Sequence, residues 1–430
     1  MKILLVSPHD STYKAGDSAF KRQVSYYALT LPTLAALVPE ELGAKVSVVD
    51  EGVQKLGSLD GVDLLGISII TPAAPRGYEL ADLARQQGIT VVLGGPHVTL
   101  MPDEAAEHAD CVVTGWADQT WPELLRDFAA GTLKTRYTHE GRAPIAGLPD
   151  ARRDLLNLKK YLPIPCVQAS RGCPNECTFC AIPAVWGRDF HQRPVKEVVA
   201  EIEALDSRRV LFLDPAIAER PAYAKELYRE LAPLKIKWGG LSTVKITEDV
   251  ELLQLAKKSG CIGLLIGFES IYQESLEGIN KVFADSSKYL DAVGMLHDNG
   301  MGVLGTFVFG LEGDDDDVFK RTADFIDEAR IDMVRYSVFT PFPGTKTFAD
   351  LDAQGRILSR DWGLYNTENV VFRPKNMSPE RLQEGLKEAW RQTTSFKSIF
   401  KRVRWLSANR FFVLALNLGF RFYAKRVLLD

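Results

Sequence analysis

The sequence predicts an α/β protein: an N-terminal doubly wound parallel sheet, an open (β/α)6 barrel after it, and a helical C-terminal region. Three observations predict this. Short apolar runs alternate with amphipathic stretches along most of the chain, the pattern of parallel strands joined by crossover helices. A proline-bearing stretch, EGRAPIAGLPDARRDLL (140–156), interrupts that alternation. The length of 430 residues exceeds what one ordinary core holds. The expected divisions are residues 1–140, a linker at 141–160, the barrel at 161–345 and a C-terminal region at 346–430.

The first sheet is expected from KILLVS (2–7), KVSVVD (45–50), LLGISII (64–70), TVVLGG (90–95) and CVVTG (111–115). RGYELADLARQQ (76–87) and TWPELLRDFAA (120–130) read as its helices. A ligand of such a sheet sits above the C-terminal edge of its strands. No G-x-G-x-x-G follows the first strand, which argues against a dinucleotide. The barrel strands are PCVQAS (165–170), RVLFL (209–213), KWGGL (237–241), CIGLLIGF (261–268), GVLGTFVF (302–309) and DMVRYSVF (332–339). Amphipathic stretches at 195–205, 222–231, 249–259, 287–299 and 318–329 separate them. Six strands are too few for a closed eight-stranded barrel, and its site belongs on the loops after the strands.

Composition narrows the function. With 46 % hydrophobic and 25 % charged residues the chain is globular, and a net charge of −4 gives no reason for a nucleic-acid partner. The N-terminal apolar run is too short for a signal peptide, and no stretch is long enough to span a membrane. A cytoplasmic protein is therefore expected, in which clustered thiols hold metal more often than they form disulfides.

Three of the six cysteines fall within RGCPNECTFC (171–180), the loop after the first barrel strand. Cys173, Cys177 and Cys180 are spaced C-x3-C-x2-C, with Phe179 before the last. A structural zinc site needs a fourth ligand, and no Cys or His stands at finger spacing. A [4Fe–4S] cluster held by three thiolates keeps one iron open to a ligand that is not protein, and an electron carrier would be expected to supply four cysteines. Gly172, Pro174 and Asn175 mark a loop, so three buried structural thiols fit less well. Cys111, Cys166 and Cys261 sit in apolar strands and are expected in the core.

Cys173 to Cys180 resemble the signature of the radical S-adenosylmethionine (SAM) superfamily, down to the aromatic Phe179. The resemblance implies an open iron that binds SAM, and one-electron cleavage of SAM to a 5′-deoxyadenosyl radical. It also implies SAM contacts from Glu269 and Ser270 after the fourth strand. Val308, Gly310 and Gly313 after the fifth resemble the glycine-containing motif against which the adenine lies. Glu269 could equally pair with Lys281. Asp214 stands where relatives carry an acidic pair, but Pro215 replaces the second member. Asp314 to Asp317 read as carboxylates complementing a helix N-terminus. Arg188, His191 and Arg193 read as loop anchors, and no side chain declares itself catalytic.

The loops SIITPAAP (68–75), LGGPHVTLMPDEA (93–105) and VVTGWAD (112–118) resemble those of the Rossmann-like cobalamin domain that precedes many radical SAM barrels. That resemblance implies cobalamin contacts from Ser68, Thr71, Gly94, Gly95, His97 and Gly115; a capping domain that binds nothing is the alternative. The loop Ser7-Pro8-His9-Asp10-Ser11-Thr12 lacks the aspartate and glycine of the D-x-H-x-x-G motif, so no histidine ligand to cobalt is expected from it. His97 is expected to line the pocket.

Together these features are similar to the cobalamin-dependent radical SAM family, which includes hopanoid methylases and tetrapyrrole-modifying enzymes. The resemblance implies methylation of an unactivated carbon by way of methylcobalamin, with anaerobic-cyclase-like oxidation or cyclisation as the alternative. The implied partners are a lipid-like or tetrapyrrole substrate and an electron donor such as flavodoxin or ferredoxin. A methylthiotransferase would need a second cysteine trio, and residues 1–110 contain none. The tail at 395–430 holds eight Lys or Arg and one acidic residue, which suits either docking on the barrel or peripheral membrane contact.

Overall fold

The computed structural model describes residues 1–10, 25–139, 145–403 and 410–427. Ser11 and Thr12 of the first loop, the start of the linker and residues 404–409 and 428–430 of the tail lie outside the described residues. The N-terminal sheet comprises β1 (Lys2–Ser7), β2 (Lys45–Asp50), β3 (Leu64–Ser68), β4 (Thr90–Gly94), β5 (Cys111–Thr114) and β6 (Arg136–Thr138). All pair in parallel in the order β2-β1-β3-β4-β5-β6, with the order reversing at β1 and β3. Successive β1 side chains alternate between two cores. Ile3 and Leu5 pack with Trp121 and Leu124, while Leu4 and Val6 pack with Tyr78 and Ala81. Both faces of the sheet are therefore covered, as its continuous apolar strands require.

The second sheet starts at β7 (Cys166–Val167). A small antiparallel ladder follows, β8 (Ser170–Arg171) against β9 (His191–Gln192), and pins together the ends of the cysteine loop. Then come β10 (Arg209–Phe212), β11 (Lys237–Ser242), β12 (Cys261–Glu269), β13 (Gly302–Phe309) and β14 (Met333–Val338). They pair in parallel in chain order, with β7 and β14 as the two edges, so the barrel is open.

Burial along β11 to β14 alternates after their first residues, except that β13 ends on three buried residues, Phe307, Val308 and Phe309. Trp238, Leu264, Ile266, Phe268, Val303, Phe307, Val334 and Tyr336 face the helix-covered core. Residues of the opposite face, such as Leu241, Leu265, Gly267, Thr306 and Arg335, are only half-buried. The barrel interior is thus a partly open space and not a filled core. Pairing sets Gly239, Gly263 and Gly302 in one inner row and Gly267, Thr306 and Arg335 in another nearer the strand ends.

The two sheets are tied directly. Cys166 N–H donates to Tyr27 Oη at 3.0 Å, and Tyr161 Oη donates to Asp50 at 2.7 Å. The C-terminal region is helical at Lys346–Ala353, Pro379–Thr393, Phe396–Arg402 and Arg410–Val427. Between the first two helices, however, the chain runs back over the N-terminal sheet. There Trp362, Tyr365 and Val371 join that sheet's core, and Trp362 Nε1–H donates to Glu104 at 2.9 Å. Cys111, Cys166 and Cys261 are buried in strands, as expected.

Candidate active site between the two sheets

The loop between β8 and the helix Ala181–Trp186 carries the three clustered thiols. It begins at Gly172, whose φ of +81° and close approach to Asp189 O leave no space for a side chain. Several neighbouring loops hold its course. Thr178 N–H donates to Ile279 O at 3.0 Å, Asn280 donates to Glu176 O at 2.9 Å, and Lys245 donates to Asn175 at 3.0 Å. Asn175 Nδ2 lies 3.5 Å from Cys173 Sγ. The Phe179 ring packs toward Phe339, centroids 6.2 Å apart, and helps cover the loop.

The thiols share one partly buried space. Burial pushes Cys177 up to about 11 and Cys180 to about 12, and the nearby Cys173 sulfur adds to both rises. Among the described residues no three His, Cys, Asp or Glu side chains close around a single ion. Three thiols in one partly buried loop are the donor chemistry of a [4Fe–4S] cluster with one corner left to another ligand. Binding would displace the thiol protons.

Glu269 and Ser270 end β12 beside this loop. Glu269 adopts φ +63°, at a register shift against β13, and its carboxylate meets Lys281 Nζ at 2.7 Å. Lys281 also donates to Gly267 O, so one buried ammonium holds the strand end. Ser270 is buried and accepts from Tyr272 N–H at 3.0 Å. After Val308, Gly310 turns with φ +96°; a Cβ there would come 2.6 Å from Leu382. Gly313 lies against Ser275, with 2.8 Å to its Oγ for an added Cβ.

Asp314 requires a correction. It does not face a helix N-terminus: it is buried, accepts from Gly310 N–H and Leu311 N–H at 2.9 and 3.0 Å, and takes the Ser275 hydroxyl at 2.8 Å. The helix begins four residues later at Val318, and Asp317 makes no side-chain cap. Asp314 instead fixes the glycine turn, and burial raises its carboxyl to about 6. Asp214 is likewise fully buried, accepting from Ala169 N–H and the Ser170 hydroxyl, and so anchors the chain just before the cysteine loop. Arg193 pairs with buried Glu201 and Arg188 with Glu176, both as anchors.

The Asp314 arrangement has a measurable consequence. A carboxyl raised from the ordinary Asp range to about 6 contributes its full stability below that ordinary range and loses it as pH rises through about 6. Asp314→Asn can keep an oxygen toward the two amides without ever ionising. The wild type should therefore lose about 3 kcal/mol between about pH 4 and pH 6.5 that the variant does not lose. Parallel thermal-unfolding curves across that range would show that Asp314 does not ionise in the fold.

In the N-terminal sheet the candidate loops all leave the same edge. Gly95 has φ +98° and approaches Ile69 so closely that a Cβ would sit 2.7 Å from its N, beside Ser68 Oγ. Gly94 ends β4, and Gly115, with φ +76°, donates its N–H to Thr99 Oγ1 at 3.0 Å. His97 is the second correction. Its ring is fully buried and lines no open pocket: Nδ1 is 3.3 Å from Thr71 Oγ1 and Nε2 is 3.4 Å from Glu104. Trp362 lies edge-on to it, and burial lowers its pKa, keeping the ring neutral. Thr71 is buried with it.

The helix Pro96–Leu100 of this edge packs on Ala181–Trp186 behind the cysteine loop. Arg171, a residue the sequence did not single out, seals the junction. Its guanidinium pairs with Asp118 at 2.6 Å, both largely buried, and covers the Trp116 ring at 4.8 Å. Trp116 in turn stacks on Trp186 at 4.8 Å.

A loop of three clustered thiols set against the C-terminal edge of a second, doubly wound sheet suits an enzyme of two cofactors. The sequence profile of the Radical SAM superfamily matches residues 167–326, and that of the B12 binding domain matches 27–125. The chain is similar to the bacteriochlorophyllide d C-12(1)-methyltransferase of Chlorobaculum tepidum, 32 % identical over 94 % of this chain and 89 % of the relative. It is 29 % identical to the C-8(2)-methyltransferase of the same organism, covering 88 % of each. The solved structure of the cobalamin-dependent SAM radical enzyme OxsB with aqua-cobalamin superposes with a TM-score of 0.71 at 14 % identity, covering 97 % of this chain and 72 % of that one, which shows a common fold. The chain belongs to the cobalamin-dependent radical SAM enzymes. It is a C-methyltransferase whose cofactors are a [4Fe–4S] cluster, SAM and cobalamin.

Proposed function

We propose that this enzyme methylates an unactivated carbon of a tetrapyrrole-type small molecule held between the two sheets. The observation that carries this reading is the junction itself: loops from both sheets' C-terminal edges meet where Pro96–Leu100 packs on Ala181–Trp186. The two Chlorobaculum tepidum relatives are methyltransferases of bacteriochlorophyllide d. The inner barrel face offers Leu241, Leu265, Leu304 and Met333, half-buried apolar surface suited to a large flat ligand.

When bound, the cluster with SAM supplies a hydrogen-abstracting radical and the cobalamin supplies the methyl group. The chain supplies the rest. Cys173, Cys177 and Cys180 hold the cluster, Phe179 covers it, and Glu269, Ser270, Val308, Gly310 and Gly313 bind SAM. Ser68, Gly94, Gly95 and Gly115 form the backbone cradle for the corrin, behind which Thr71 and His97 act as buried support. Holding both reacting centres against one substrate turns a three-body encounter into a local step. A small reductant protein of the flavodoxin or ferredoxin type would provide the electron, and a cytoplasmic location would keep clustered thiols reduced. Among the described residues no helix is long and apolar enough to cross a membrane.

The deciding experiment is anaerobic turnover with methyl-labelled SAM and candidate tetrapyrroles, read by mass spectrometry. Label in the macrocycle supports the proposal. Formation of 5′-deoxyadenosine with an oxidised or cyclised, unlabelled product would favour the cyclase-like alternative. The SAM role of Glu269 is tested by Glu269→Gln, which should weaken SAM binding about tenfold or more with cluster absorbance intact, the effect of losing a charge-assisted hydrogen bond. Unchanged SAM affinity would confine Glu269 to its ion pair with Lys281.

A further inference from the structure

Every phenylalanine that is exposed among the described residues lies in the two last helices: Phe396, Phe400, Phe411 and Phe422, at 49 to 68 % exposure. Leu418 is exposed beside them. These helices are firmly seated by their other face. Ser398, Ile399 and Arg402 are buried; the Arg402 guanidinium donates to Ile331 O at 2.9 Å and Thr393 O at 2.7 Å. Phe420 stacks on Trp390, and Arg421 donates to Thr394 O at 2.5 Å while covering the Phe396 ring at 4.1 Å, which sets the two helices side by side. The outward phenylalanines are therefore not the inner face of an undocked element.

Exposed Lys397 and Lys401 alternate with Phe396 and Phe400 on the outer half of the first helix. The segment from residue 395 carries eight basic residues and one acidic residue in a chain of net charge −4; Arg402 is turned inward and Arg421 is held to Thr394, while Lys397 and Lys401 are exposed cations of the outer face. We propose that this face docks on an anionic membrane surface, with the phenylalanines at the headgroup–acyl boundary and the lysines on lipid phosphates. Aromatic residues interleaved with cations suit that interface. A second copy of the chain fits less well, since a two-fold contact would set this basic face against itself. The contact is peripheral, because no described helix can span the bilayer.

The test is cosedimentation of the full holoenzyme with vesicles of phosphatidylcholine alone or mixed equally with phosphatidylglycerol. Binding is expected only to the anionic vesicles, falling steeply as salt is added. Phe396→Ser/Phe400→Ser and Lys397→Glu/Lys401→Glu should each reduce it by about tenfold or more, with circular dichroism and retained cobalamin unchanged. The two lysines are exposed and their variant leaves the seated face untouched, so it keeps the test decisive if losing the Phe396 ring under Arg421 loosens the helices. Three results would overturn the proposal: no binding to anionic vesicles at low salt, binding at the wild-type level by both variants, or a dimer in light scattering that the Phe396→Ser/Phe400→Ser variant disperses.

Discussion

Cys173→Ala, Cys177→Ala and Cys180→Ala are each expected to abolish both the visible absorption of the cluster and the formation of 5′-deoxyadenosine. Gly172→Ala, with all three thiols intact, is expected to come close to the same result. The reason lies in the backbone. Gly172 enters the loop at φ +81°, and an added Cβ would stand 2.0 Å from Asp189 O, a main-chain atom just before β9. No rotamer relieves that contact. Either the β8–β9 ladder opens or the loop leaves its path, and the three thiols then lose their common space. Loss of such a supporting element costs about ten- to a hundredfold in metal binding. Iron content and 5′-deoxyadenosine yield should fall together in Gly172→Ala. Full iron content in that variant would show that the loop's geometry does not depend on its first turn, and full iron in the triple Cys→Ala protein would remove the cluster assignment altogether.

What was legible in the sequence was what is local. Lys2–Ser7, Lys45–Asp50 and Gly302–Phe309 coincide with runs of strand-forming residues, because each is bounded by polar or turn residues on both sides. The cysteine loop is legible for the same reason: its three thiols fit within ten positions. The edge strand Arg136–Thr138 was missed, being three residues long with only Tyr137 buried. The return of Trp362 to Glu104 joins residues 258 apart in sequence, and no periodicity records such a contact.

Asp314 was misread through the same limitation. In sequence it heads a run of four aspartates, and only the fold shows that the first turns inward to the amides of Gly310 and Leu311 while Asp315 meets the Tyr272 hydroxyl. His97 sits in a loop of glycines and prolines that reads as a pocket wall. Its burial depends on Trp362, 265 residues further along the chain, which no local pattern places there. The half-open barrel interior was equally hidden, since parallel strands are apolar on both faces whether or not one face is filled.

Arg171→Met is expected to keep the cluster and the cobalamin bound, yet to lower methyl transfer by about a hundredfold. Arg171 follows the first barrel strand, Asp118 follows β5 of the other sheet, and their side chains are 11 and 8 % exposed. Removing the guanidinium leaves the Asp118 carboxylate buried without its cation, a change that costs about 3–5 kcal/mol in comparable pairs. It also uncovers Trp116, whose stack on Trp186 ties the loop after β5 to the helix that follows the cysteine loop. None of these residues is proposed to touch a cofactor, so Arg171 acts as a positioning residue. The informative readout is the ratio of methylated product to 5′-deoxyadenosine, which should drop because radical formation needs only the barrel while methyl capture needs both sheets in register. Replacing both partners, as Arg171→Met/Asp118→Leu, should recover most of the lost stability but not the ratio, since an apolar pair fills the junction without restoring the cation over Trp116. If product and 5′-deoxyadenosine fell in equal proportion, or the double variant restored coupling, the pair would be structural padding and the register of the two sheets would be set elsewhere.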